Sequence, residues 1–220
     1  MLSTYEENYQ KNLIELLQII QLFHQRGWSP ATSTNYSFRN PVPHQNTFTI
    51  SVSGVDKSKF TPHDLMQIDD QGTPLPEYAH LRPSAETLIH IYLYENPENQ
   101  AVLHTHSLFA TILSKIFLPQ KGIQLANLEI LKAIKGILTH ETKIWLPIFE
   151  NSQNMTQLTQ EIKKYYTRNP HCYAFLLSGH GLYAWGSSLS EAKRHIEAIE
   201  FLLKCFYYEQ TWLNIKNLKN

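Results

Sequence analysis

Ala101-Val102-Leu103-His104-Thr105-His106 carries a short apolar run straight into two histidines one residue apart. A run this short reads as a buried strand rather than a helix. In an extended chain, residues i and i+2 point to the same face, so His104 and His106 present two imidazoles side by side. Such a pair can reach one metal ion. It can equally be two polar residues capping a strand edge.

Helical patterns flank this strand. Residues 84–95 place Leu88, Ile91 and Leu93 among their apolar positions, and residues 107–117 follow directly after the second histidine. Further out, residues 5–26 repeat Leu13, Leu16, Ile20 and Phe23 at steps of three and four, with Gly27 as a stop. Residues 36–39, 65–68 and 143–149 are strand-like, and 47–53 alternate polar and apolar like a half-buried strand. Thr61-Pro62 opens a helical turn, and residues 69–72 make a chain turn. Residues 128–135 read as a short helix ended by Gly136, and 157–166 as another helix. Residues 173–177 and 182–185 form two strands around Ser178-Gly179-His180-Gly181. The last helix, 188–209, starts at a Ser188/Glu191 capping box and carries Ala192, Ile196, Ile199, Leu203 and Phe206. Strands and helices interleave without a composition break, so residues 1–220 read as one α/β domain with a partly antiparallel sheet.

Composition narrows the chemistry. Nineteen basic and nineteen acidic residues give zero formal charge, which provides no electrostatic footprint for nucleic acid or an anionic membrane. Two cysteines exclude a disulfide scaffold and a thiolate-rich zinc site. Any metal must therefore be held mostly by the eleven histidines. Charged residues, at 17%, fall below the usual ~25%, which fits either an uncharged polar surface or one partly hidden in an oligomer. The polar start is no signal peptide, and no apolar run reaches the ~18 residues of a membrane span, so the expected compartment is the cytoplasm.

His180 is the third candidate ligand, because its flanking glycines let the backbone bend and other groups approach. A turn histidine packed on Tyr183 or Trp185 is the plainer alternative. His24, His44, His63, His80, His90, His140, His171 and His195 lack such context and read as surface or ordinary packing. Two glutamates compete for acid–base work, Glu86 and Glu129. Each sits in the first turn of an expected helix, where a carboxylate also simply complements the helix dipole. Anion capture has three weak signals: Ser53-Gly54 with Lys57, Ser84 at a helix start, and Asn35 in a polar loop.

Taken in order, Ala31-Thr32-Ser33-Thr34-Asn35-Tyr36-Ser37, Ser53-Gly54, Pro83-Ser84-Ala85-Glu86, His104-Thr105-His106 and Ser178-Gly179-His180-Gly181 resemble the class II aldolase/adducin family across about residues 10–208. The resemblance implies a three-layer α/β/α fold around a mostly antiparallel sheet. It implies one zinc ion per subunit on His104, His106 and His180. It further implies a phosphate held near Asn35, Ser53, Gly54, Lys57 and Ser84, and a homo-oligomer, commonly a tetramer with sites at subunit interfaces. Arg26-Gly27-Trp28, Ser53 to Lys57, Leu128 to Gly136 and Leu146 to Asn151 look most like the branch that removes water from a methylthio-pentulose phosphate in methionine salvage. That branch implies Glu129 as acid/base, with Glu86 in reserve, since Glu86 stands where the family's aldolases carry theirs. A sugar-phosphate aldolase, a pentulose-phosphate epimerase and a non-catalytic adducin-like assembly protein are the rival expectations. Two departures stand out: Thr34 replaces a frequent glycine, and Ala85 a second serine.

Overall fold

The computed structural model describes residues 3–217 apart from Gln45 and His171, so the reading of His171 lies outside the described residues. Five helices are seen: α1 (Thr4–Gln25), α2 (Thr87–Tyr94), α3 (Leu108–Ile116), α4 (Met155–Tyr166) and α5 (Leu189–Asn217). Eight strands form one sheet: β1 (Tyr36–Arg39), β2 (Phe48–Ser51), β3 (Leu65–Ile68), β4 (Ala101–Thr105), β5 (Gly122–Leu125), β6 (Ile144–Phe149), β7 (Ala174–Leu177) and β8 (Gly181–Gly186). Their order is β3-β2-β1-β4-β8-β7-β6-β5, and only the β6/β7 pair is parallel. The expected three-layer α/β/α fold around a mostly antiparallel sheet is the one found.

Strand alternation sorts the core into two layers. Leu16, Ile20 and Phe23 of α1 and Ile196, Ile199 and Leu203 of α5 pack with Leu103 and Ala184 on one face. Ile89 and Leu93 of α2 and Leu158 and Ile162 of α4 pack with Val102 and Trp185 on the other. Because both faces are covered, β2 is buried along its whole length, and Thr49 and Ser51 are as hidden as Phe48 and Ile50. The half-buried reading of that strand is thereby corrected: alternation reports polarity, not which side a neighbouring helix covers.

Local chemistry explains most element ends. Ser3 and Glu6 form a capping box at α1, and the Ser107 hydroxyl accepts from the Ala110 N–H to open α3. Three boundaries differ from expectation. Helix α2 starts at Thr87, since Ser84 and Ala85 belong to the preceding turn and the Ser84 hydroxyl accepts from the Glu86 N–H. The expected helix at 128–135 is a 3-10 helix over Glu129–Ala133. At α5, Ser188 caps the Glu191 N–H, while the Glu191 carboxylate accepts from Ser187 rather than from Ser188. Strand β5 is not legible in the sequence, because four residues on the outer edge of the sheet carry too little alternation to stand out. Among the described residues, no helix is long and apolar enough to cross a membrane.

Candidate metal centre

The paired register of β4 and β8 sets the two histidine segments side by side, with Thr105 opposite Leu182 and His104 opposite Tyr183. At Gly181, a Cβ would collide with the Thr105 carbonyl oxygen, so glycine is what allows the strands this close at the histidine end. The turn before it is fastened to α3: the Gly179 N–H donates to Ser114 Oγ and Thr111 Oγ1 donates to the His180 carbonyl. His106 is tied from the other side, its N–H donating to the Trp28 carbonyl at 2.8 Å.

These restraints converge three ring nitrogens. His104 Nε2 lies 2.7 Å from His106 Nε2 and 3.4 Å from His180 Nε2, and one ligand atom from each ring lies within 4.8 Å of the others. His104 Nδ1 donates to the Leu182 carbonyl at 3.0 Å, so its Nε2 offers a bare lone pair in the neutral ring. His104 is fully buried, and burial followed by the nearness of His106 and His180 keeps its pKa well below the ordinary value. Burial, then His180 and Lys57, push His106 down to about 3. Neutral imidazoles with converging lone pairs are what a divalent cation requires. The triad can hold a metal ion, and among the described residues it is the only group of three or more His, Cys, Asp or Glu side chains placed to do so.

Glu86 completes the centre. Its Oε1 stands 3.3 Å from His180 Nε2, and its Oε2 accepts from Asn35 Nδ2. The Asn35 carbonyl accepts from the His104 N–H at 3.0 Å, so one residue ties the carboxylate to the histidine strand. A cleft opens over this point, lined by Ser53, Ser84, Glu86 and His180 and also by Arg82, Gln153 and Met155.

The other expected residues divide. Ser53 and Ser84 face the cleft. Gly54 is exposed and left-handed at φ +76°. Lys57 is 2% exposed, its Nζ donating to the Val55 carbonyl, and burial pushes its pKa down to about 8. Its ammonium is therefore tucked beneath the loop rather than presented on it. Glu129 is not brought to the triad within the protomer. Its exposed carboxylate pairs with Lys132 and with His140 Nδ1, and these two hold its pKa below the usual value. A few residues on, the Lys135 N–H donates to His195, whose Nδ1 donates to the Trp185 carbonyl, at the end of β8 opposite Gly181.

Four residues of the site escaped the sequence. Arg82 lines the cleft, and a cation two residues before Ser84 was a usable signal. Tyr183, whose ring stacks on His104 at 3.9 Å, figured only as a possible neighbour of a turn histidine. His90 was expected at the surface or in ordinary packing, and Glu200 carried no local signal. Both are buried: His90 bonds Asn35, and Glu200 accepts from Thr105 Oγ1 at 2.7 Å on the opposite face.

Known proteins are similar to this chain in sequence and in fold. A methylthioribulose-1-phosphate dehydratase of Picosynechococcus is 46% identical over 191 residues, covering 86% of this chain and 88% of its own. One of Marinobacter nauticus is 41% identical over 186 residues, covering 84% and 87%. Among solved structures, the L-fuculose-1-phosphate aldolase of Thermus thermophilus superposes with a TM-score of 0.73 at 22% identity, covering 94% of this chain and 98% of its own, which shows the shared fold. Residues 14–207 match the class II aldolase and adducin N-terminal domain. With the fold, the histidine triad and these relatives in agreement, the chain belongs to the class II aldolase and adducin family.

Proposed function

We propose that this protein is a methylthioribulose-1-phosphate dehydratase, a hydro-lyase of methionine salvage. It would act in the cytoplasm as a homotetramer of single-domain chains, each holding one zinc ion on His104, His106 and His180. The observation that carries this reading is the convergence of three imidazole nitrogens with a carboxylate 3.3 Å from one of them. Relatives at 41–46% identity point to the substrate.

A bound divalent metal supplies Lewis-acid stabilisation of the charge that builds on the 2-keto and 3-hydroxyl oxygens. A carboxylate takes the C3 proton, the C4 hydroxyl leaves as water, and the resulting enol ketonises to 2,3-diketo-5-methylthiopentyl phosphate. Glu86 works at the triad of its own protomer. Glu129, exposed and not among the residues lining the cleft of its own protomer, works in the cleft of a neighbouring copy. Ser53, Gly54, Ser84 and Asn35 shape the phosphate end, with Lys57 adding positive charge from beneath.

Incubation of the zinc-loaded protein with methylthioribulose 1-phosphate should yield the diketone. Retro-aldol cleavage without diketone would replace this reading by the aldolase one, which Glu86 beside the triad also suits. His104→Ala should abolish both zinc retention and turnover. Mixing His104→Ala subunits with Glu129→Gln subunits should restore part of the activity, because a mixed interface contains one intact site. No recovery from the mixture would remove Glu129 from the neighbouring site.

A further inference from the structure

On the α2 face of the sheet, a row of buried side chains leads from the core to Glu86. Tyr94, Ser37, His90 and Asn35 are each at most 4% exposed. Ser37 Oγ lies 2.7 Å from Tyr94 OH and 2.7 Å from His90 Nδ1. His90 Nε2 meets Asn35 Oδ1, and Asn35 Nδ2 meets Glu86 Oε2.

The direction of every bond follows from the last one. A carboxylate oxygen only accepts, so Asn35 must turn its Nδ2 toward Glu86 and its Oδ1 toward His90. That amide oxygen also only accepts, so His90 Nε2 carries a proton. Burial without an acidic neighbour keeps the ring neutral, its pKa pushed down to about 3. His90 Nδ1 is then a lone pair and accepts from the Ser37 hydroxyl. Ser37 has only one proton to give, so the Tyr94 hydroxyl donates to Ser37. Four bonds join five residues, and no donor or acceptor in the row is duplicated. The opposite amide orientation would set the amide oxygen against the Glu86 carboxylate, acceptor against acceptor.

We infer that His90 is a positioning residue: as the neutral Nε2–H tautomer it fixes the Asn35 amide, and Asn35 in turn holds Glu86 so that its second oxygen faces His180. The inference rests on the reading of Glu86 and the triad as the working site. It also gives the Asn35 side chain a role beyond shaping the phosphate end, because its amide oxygen and one Nδ2–H are engaged inside the protein.

Two measurements test it. Long-range 1H–15N correlation spectra of histidine-labelled protein should show His90 as a neutral Nε2–H ring between about pH 5 and 8. An Nδ1–H tautomer or an imidazolium in that range overturns the relay, whatever the enzyme turns over. In kinetics on methylthioribulose 1-phosphate, His90→Leu should lower kcat about 10–100-fold, the scale of lost outer-shell partners, while KM and zinc affinity hold. His90→Gln, with a donor and an acceptor on one amide, should recover part of that loss. A folded His90→Leu protein with wild-type kcat overturns the inference. If the wild type leaves this substrate untouched while the spectra show the Nε2–H tautomer, the functional reading fails and the relay stands.

Discussion

Glu86 and Glu129 are two carboxylates with the same local sequence context, and the fold treats them in opposite ways. Each was expected in the first turn of a short helix. Glu86 instead precedes α2, with one oxygen toward His180 and the other bonded to Asn35, and its side chain is 15% exposed. Glu129 opens a 3-10 helix, 68% exposed, with only the exposed Lys132 and His140 as charged partners. A carboxylate held by buried donors has one geometry. A carboxylate in an exposed ion pair has many, and such pairs contribute little to stability. The contrast separates a group organised within the protomer from one that needs a neighbour to organise it.

Substitution of each glutamate is the strongest way to break this comparison. Glu86→Gln should lower kcat by about 10²–10⁴, the range of a lost general acid or base. Glu129→Gln should fall in the same range, provided the subunits assemble. Steady-state rates of the two variants decide the matter: full turnover by Glu129→Gln would make it a surface ion-pair residue and leave both proton steps to Glu86.

A smaller effect concerns the buried acid on the far side of the histidine strand. Burial raises the pKa of Glu200 from 4.5 to about 7, partly offset by the hydroxyls of Ser107 and Thr105. The folded protein therefore keeps this proton after the unfolded chain has lost it. Stability is unaffected below about pH 4.5, falls as pH rises toward 7, and levels off above, by a total of ~3 kcal/mol from this group. Urea denaturation of wild type and Glu200→Gln across that range should show the slope in the first and its absence in the second. Equal slopes would mean that Glu200 is not a buried acid.

The smallest effect concerns Thr34, next to Asn35. Its φ of +74° places a branched residue in the left-handed region, where a glycine would be relaxed. That conformation costs roughly 1–2 kcal/mol, and glycine gives back about 0.4–1 kcal/mol through a freer unfolded chain. Thr34→Gly should therefore stabilise the protein by up to ~1 kcal/mol, measured as a higher urea midpoint. A loss of stability would show that the Thr34 hydroxyl, which donates to the Ser33 carbonyl, outweighs the strain.

The sequence by itself determined the strand that carries His104 and His106, the glycine-flanked bend at His180, most helix and strand positions, and the family. These features are local: side-chain period, caps, turn residues and short motifs are written in adjacent residues. It left open which glutamate stands at the centre, because a first-turn carboxylate looks the same whatever lies across the cleft from it. It gave no sign that His90, fifty-five residues after Asn35, would bond to it, or that Glu200 would lie behind Thr105. Those contacts exist only after β1, β4 and β8 pair and the helices close over both faces. Burial then removes water as an alternative partner and forces each polar group onto a particular neighbour, so the tertiary structure alone decided the wiring of the site.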